Sequence, residues 1–173
     1  MKTIHLLLGS SDRRISNLIE VAVRDACYGQ GVVECYRSSQ LDDFTQRGCI
    51  EGHDLIIFTP DHLLPGLVRK KPRDVMDEAI RAIQSIKEHR AVPMIAIGVS
   101  EEDELRLLMA GAENVFPILF NENVLKDEVR RSLGLAEPSH PADTSTVNRS
   151  TSSWAGFFAK GLERFGIGVK AGG

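Results

Sequence analysis

Five short apolar runs, Ile4–Leu8, Val32–Tyr36, Leu55–Phe58, Met94–Val99 and Val115–Leu119, alternate along this chain with segments whose apolar residues recur at helical spacing. That rhythm reads as a parallel sheet wrapped by helices. Ligands of such folds sit outside the carboxyl ends of the strands. The first, third and fourth runs are followed there by Gly9-Ser10-Ser11-Asp12, Thr59-Pro60-Asp61 and Gly98-Val99-Ser100, a sparse set for catalysis.

The helical segments carry their own signals. Arg13–Tyr28 places Ile15, Leu18, Ile19, Ala22 and Ala26 on one face, the stripe of a helix lying on a sheet. A short second helix is expected from Ser39 or Gln40 to Gln46, followed by Gly48, and a third over Asp74–His89 through Val75, Ala79, Ile80, Ile83 and Ile86. Ser100 is placed to cap Glu101–Met109 with Asp103 completing a capping box, and Gly111 closes that helix. Asn121 caps Glu122–Leu133, which Gly134 ends.

With 173 residues, 42% of them hydrophobic, the chain can bury a sizeable single core. A net charge of -3 gives no electrostatic reason to expect nucleic acid as a partner. The N-terminus lacks a basic-then-apolar signal pattern, and no apolar run approaches the ~20 residues that span a bilayer, so the expected location is the cytoplasm. Cys27, Cys35 and Cys49 lack C-x-x-C spacing and are expected as reduced thiols, with neither a zinc site nor a disulfide framework.

The stretch Val92-Pro93-Met94-Ile95-Ala96-Ile97, followed by Ala110-Gly111-Ala112-Glu113-Asn114-Val115, resembles the second half of a two-component response-regulator receiver domain. His53-Asp54-Leu55-Ile56-Ile57-Phe58 is similar to the receiver's third strand, and Asp61-His62-Leu63-Leu64-Pro65-Gly66 to the D-x-x-x-P-G segment after it. The resemblance covers residues 1–135. It implies a flavodoxin-like (CheY-like) fold, an α/β doubly wound sheet of five parallel strands in the order 2-1-3-4-5. It also implies a partner face on the fourth helix, fifth strand and fifth helix, drawn here from Glu104, Arg106, Leu107, Met109, Glu113, Val115, Phe116, Lys126 and Arg130.

The departures from the receiver pattern matter as much. Receivers hold a magnesium ion with two acidic residues after the first strand, where the simplest alignment puts Gly9 and Ser10. The phosphate-contacting Thr or Ser falls on Gly98, and the Lys after strand five falls on Ile118 within the uncharged Phe116-Pro117-Ile118-Leu119-Phe120. The electrostatic clamp for a phosphoryl group is therefore missing. A register two residues longer brings Ser11-Asp12, Asp61 and Ser100 to the acidic, phosphoacceptor and hydroxyl positions, still without the Lys.

Two further segments lie outside this pattern. Asp61–Arg73 joins His62, Leu63, Leu64, Leu67 and Val68 to Arg69, Lys70, Lys71 and Arg73, and reads either as a solvated loop or as a docking loop with apolar anchors and a basic rim. After Leu135, residues 136–153 are Ser-, Thr- and Pro-rich with almost nothing to bury, which predicts a disordered linker. Residues 154–173 then regain apolar character. A helical wheel gathers Trp154, Phe157, Phe158, Leu162 and Phe165 on one side, with Lys160, Glu163, Arg164 and Lys170 opposite. An amphipathic helix that folds on a partner groove fits that pattern, with a membrane surface or the chain's own domain as the other acceptors. In layout, linker plus helix resembles the encapsulation peptides of microcompartment cargo.

The expected protein is thus a degenerate receiver, a pseudo-receiver: not an enzyme, without cofactor or metal, acting as a phosphorylation-independent signalling adaptor. It would bind protein partners through its domain face and its C-terminal helix, which would also decide any membrane or assembly association. The alternative is a single-domain response regulator phosphorylated on Asp61.

Overall fold

In the computed structural model, residues 2–63 and 72–135 are described, Pro72 and Arg73 by their backbone alone. In chain order the elements are β1 (Lys2–Gly9), α1 (Arg13–Ala26), β2 (Gly31–Ser38), α2 (Leu41–Ile50), β3 (Leu55–Phe58) and a 3-10 turn (Pro60–His62). Then come α3 (Pro72–His89), β4 (Met94–Ile97), α4 (Glu101–Ala110), β5 (Asn114–Phe116) and α5 (Glu122–Ser132). All pairings are parallel, and the sheet runs β2-β1-β3-β4-β5, the expected order.

Alternation along the strands builds a core on each side of the sheet. Leu7, Ile56, Phe58, Met94 and Ala96 pack with Phe44 of α2, Ile83 and Ile86 of α3 and Leu107 of α4. Ile4, Leu6, Leu8, Leu55, Ile57 and Ile95 pack with Ile19 and Val23 of α1 and Leu125 and Val129 of α5. Both faces of the central strands are covered, which is why those strands are apolar at every position.

Several local expectations need correction. Leu18 is 59% exposed, and Val23 takes its place in the buried stripe of α1. α2 runs through Gly48 to Ile50 rather than stopping before it, because Gly48 faces α3 so closely that a Cβ there would lie 2.6 Å from Ile86 Cδ1. β5 ends at Phe116: Pro117 has no N–H for the ladder, and Ile118 and Leu119 are exposed. β4 stops at Ile97: Gly98 N still makes the ladder bond to Phe116 O at 2.9 Å, and its φ of 83° then turns the backbone out of the strand. At α4 the Ser100 hydroxyl donates to Asp103 Oδ2 at 3.0 Å and makes no side-chain cap to the helix backbone, whereas Asn121 caps α5 by accepting from Asn123 N at 2.9 Å.

Candidate functional site

The carboxyl ends of β1 and β3 are adjacent, since Gly9 pairs with both Ser38 and Phe58. Thr59 N donates to Gly9 O at 2.8 Å, Ser10 N to Ser38 O at 2.9 Å and Ser11 N to His62 O at 2.8 Å, so backbone bonds tie the edge together. On that frame the Thr59 hydroxyl, in a residue only 1% exposed, donates to Ser10 Oγ at 2.7 Å. Ser10 Oγ also accepts Asp12 N at 3.2 Å. The first residues beyond β1 and β3 thus form a buried, neutral, internally satisfied hydroxyl pair.

Asp12 is the nearest carboxylate, and it is already employed. Its Oδ1 accepts Arg14 N at 2.8 Å and Ile15 N at 3.2 Å as the N-cap of α1, and these backbone bonds, that from Ile15 first, hold its pKa below the usual aspartate value. These residues do not suit a magnesium ion: two hydroxyls bonded to each other and one capping carboxylate offer no anionic cage. Among the described residues no three His, Cys, Asp or Glu side chains are grouped to hold a metal.

The other predicted positions scatter. Asp61 lies exposed on the 3-10 turn, two residues after Thr59, which is the first residue beyond β3. Whichever residue of 116–120 is set at the receiver's Lys position, none is basic. Of the expected partner face, Met109 is 80% exposed. Arg106 bridges Asp103 at 2.8 Å and Asp77 of α3, and these two partners, Asp77 first, raise its pKa. Lys126 turns toward α1, with Asp25 at 3.0 Å and Glu122 at 2.6 Å, while Arg130 pairs with Asp127 at 3.1 Å.

Val115, Phe116 and Leu107 are corrections. They are buried in the two cores, because β5, although an edge strand, turns Val115 and Phe116 into the helix layers on opposite faces of the sheet, and Leu107 lies on the inward face of α4. Leu63, expected as a docking anchor, is 1% exposed and seals the core against Phe44 and Gly9. Leu64, Arg69, Lys70, Lys71, Trp154, Phe157, Phe158, Leu162 and Phe165 lie outside the described residues. The sequence reading missed Leu105, exposed on α4, whose four-residue spacing from Met109 puts both on one outward face. No helix of the described residues is long and apolar enough to cross a membrane.

No family model and no curated protein matches the chain. Solved structures do. The receiver domain of a sensor histidine kinase from Pseudomonas aeruginosa, with a magnesium ion coordinated in its active-site cleft, is 19% identical over 77% of this chain and 99% of that one, at a TM-score of 0.58. A two-component response regulator from Clostridium difficile is 12% identical over 76% and 96%, at 0.59. A protein provisionally assigned to pilus assembly in Burkholderia thailandensis is 20% identical over 76% and 98%, at 0.51. At such identities the likeness is one of fold, and in fold the five-stranded domain of this chain is a receiver-like domain.

Proposed function

We propose that this domain is a pseudo-receiver, a signalling adaptor that works without phosphorylation and catalyses no reaction. One observation carries the reading: Thr59 and Ser10, the first residues beyond β3 and β1, form a buried hydroxyl pair 2.7 Å apart. A phosphoryl group and its metal need negative ligands and a basic clamp, and the uncharged pair with an apolar β5 end supplies neither. The outward face of α4, with Leu105 and Met109 beside Arg106, is the surface offered to a protein partner.

The test is a titration of the full chain with beryllofluoride and magnesium, read by amide chemical shifts at Ser10, Thr59, Asp61 and Phe116. No saturable change is expected. Saturable shifts that spread from Asp61 to β5 would instead establish the phosphorylated single-domain regulator.

A second attachment belongs to the same reading and rests on the sequence of residues 154–173, where Trp154, Phe157, Phe158, Leu162 and Phe165 supply the apolar area. Phe158→Glu with Phe165→Glu is expected to abolish capture of the partner, because two charges forced into an apolar groove would be left unpaired. Vesicle co-sedimentation run beside the capture separates membrane from protein acceptors. Wild-type behaviour of the double variant in both assays would end the tethered-helix idea.

A further inference from the structure

Away from the carboxyl edge, a cavity of about 360 Å³ opens between β1, β2 and the turn from α2 to β3, lined by His5, Tyr36, Glu51, Gly52 and His53. Its walls are aromatic: the Tyr36 ring centroid lies 6.2 Å from that of His5 and 5.7 Å from that of His53. Carboxylates flank them. Glu34 Oε2 stands 3.5 Å from His5 Nδ1 and accepts the Tyr36 hydroxyl at 3.4 Å. Glu51 Oε2 stands 3.3 Å from His53 Nε2.

The telling residue is His53. Its side chain is 2% exposed, yet among the described residues neither ring nitrogen has a hydrogen-bond partner; Glu51 comes near Nε2 without the alignment of a bond. Buried polar groups are nearly always bonded, so a vacant imidazole lining a cavity points to a ligand that bonds it. Burial lowers the pKa of His53 and keeps the ring neutral, which leaves one nitrogen as an acceptor.

We propose that this pocket receives a guanidinium group, such as the end of an arginine side chain. A guanidinium is planar, carries five N–H donors and no acceptor, and stacks on aromatic faces. The cavity offers the complement: the Tyr36 ring as a stacking face and the Glu51 carboxylate and an imidazole nitrogen as acceptors, with the Glu34 carboxylate beside the His5 and Tyr36 rings that line it. Glu51 already takes one guanidinium in this way, through Oε1 to Arg47 Nη1 at 3.0 Å, while its Oε2 is turned to His53. Among the described residues the neighbouring cations do not fill the place. Lys2 is paired with Asp54, Arg47 with Asp43 and Glu51, and Arg90 bonds the backbone carbonyls of Cys49 and Ile50. This site is separate from the α4 face and stands whether or not the adaptor reading does.

The experiment titrates the full chain with Nα-acetyl-L-arginine amide, free L-arginine and Nα-acetyl-L-lysine amide, following the ring resonances of His5, Tyr36 and His53. The capped arginine is expected to give saturable shifts at all three rings. The lysine probe should bind about tenfold more weakly, since an ammonium lacks the planar fork. Glu34→Gln and, separately, Tyr36→Leu should each weaken arginine about tenfold with the rest of the spectrum unchanged. Equal binding of free and capped arginine assigns a small-molecule source, and binding of the capped form alone assigns a polypeptide. No saturation by either arginine probe, equal binding of lysine, or unchanged binding in a folded variant would overturn the proposal.

Discussion

Replacing Phe44 by alanine is expected to remove about 3–5 kcal/mol of stability, more than any surface change in this domain. The ring extends from α2 and is fully buried in the core that α2, α3 and α4 share with the sheet, its centroid 5.7 Å from that of Phe58. It also lies so close to Gly9 that a Cβ there would come within 2.6 Å of its Cδ2. Removing it opens a cavity beside Gly9 and Phe58, the last residues of β1 and β3, which are held by backbone bonds and have little freedom to collapse. Denaturant unfolding of the wild type and the variant decides the matter, with a fall in midpoint at unchanged slope as the expected result. A loss below about 1 kcal/mol would mean that the site repacks and that Phe44 does not support the edge.

How far the sequence could be read follows from the same packing. The order of elements was legible because central parallel strands are buried on both faces, so Leu6-Leu7-Leu8 and Leu55-Ile56-Ile57-Phe58 are apolar without interruption. Element ends were less legible. Gly48 reads as a stop signal in one dimension and is a packing device in three, tolerated within α2 because Ile86 needs the space. Leu63 reads as a loop anchor because its neighbours are Pro, Gly and basic residues, yet the 3-10 turn directs it into the core. Thr59 does not stand out in the sequence, since a threonine after an apolar run looks like continued strand; only the Gly9 to Phe58 register brings it to Ser10. The cavity at His53 was illegible for a similar reason. His5, Tyr36 and His53 belong to three separate segments, and the β1 to β2 pairing together with the Asp54 N to His5 O bond assembles them.

Restoring carboxylates at the hydroxyl pair, Ser10→Asp with Thr59→Asp, is expected to cost about 3–5 kcal/mol at neutral pH and to create a response to magnesium that the wild type lacks. The two hydroxyl oxygens are 2.7 Å apart in buried residues, so the replacing carboxylates would be forced together out of water. Like charges at that separation cannot both ionise, and the folded state would hold a proton that the unfolded chain has released. Stability of the double variant should therefore fall as pH rises through about 4, the unfolded aspartate value, and the deficit against the wild type should shrink below it. A divalent cation bridging the pair removes the repulsion without the proton. Thermal melting at pH 7 with and without magnesium should thus show a rise for the double variant and none for the wild type. A wild-type rise of similar size would mean that the native edge already binds the ion, and the reading of Ser10 and Thr59 as a neutral replacement for receiver chemistry would fall.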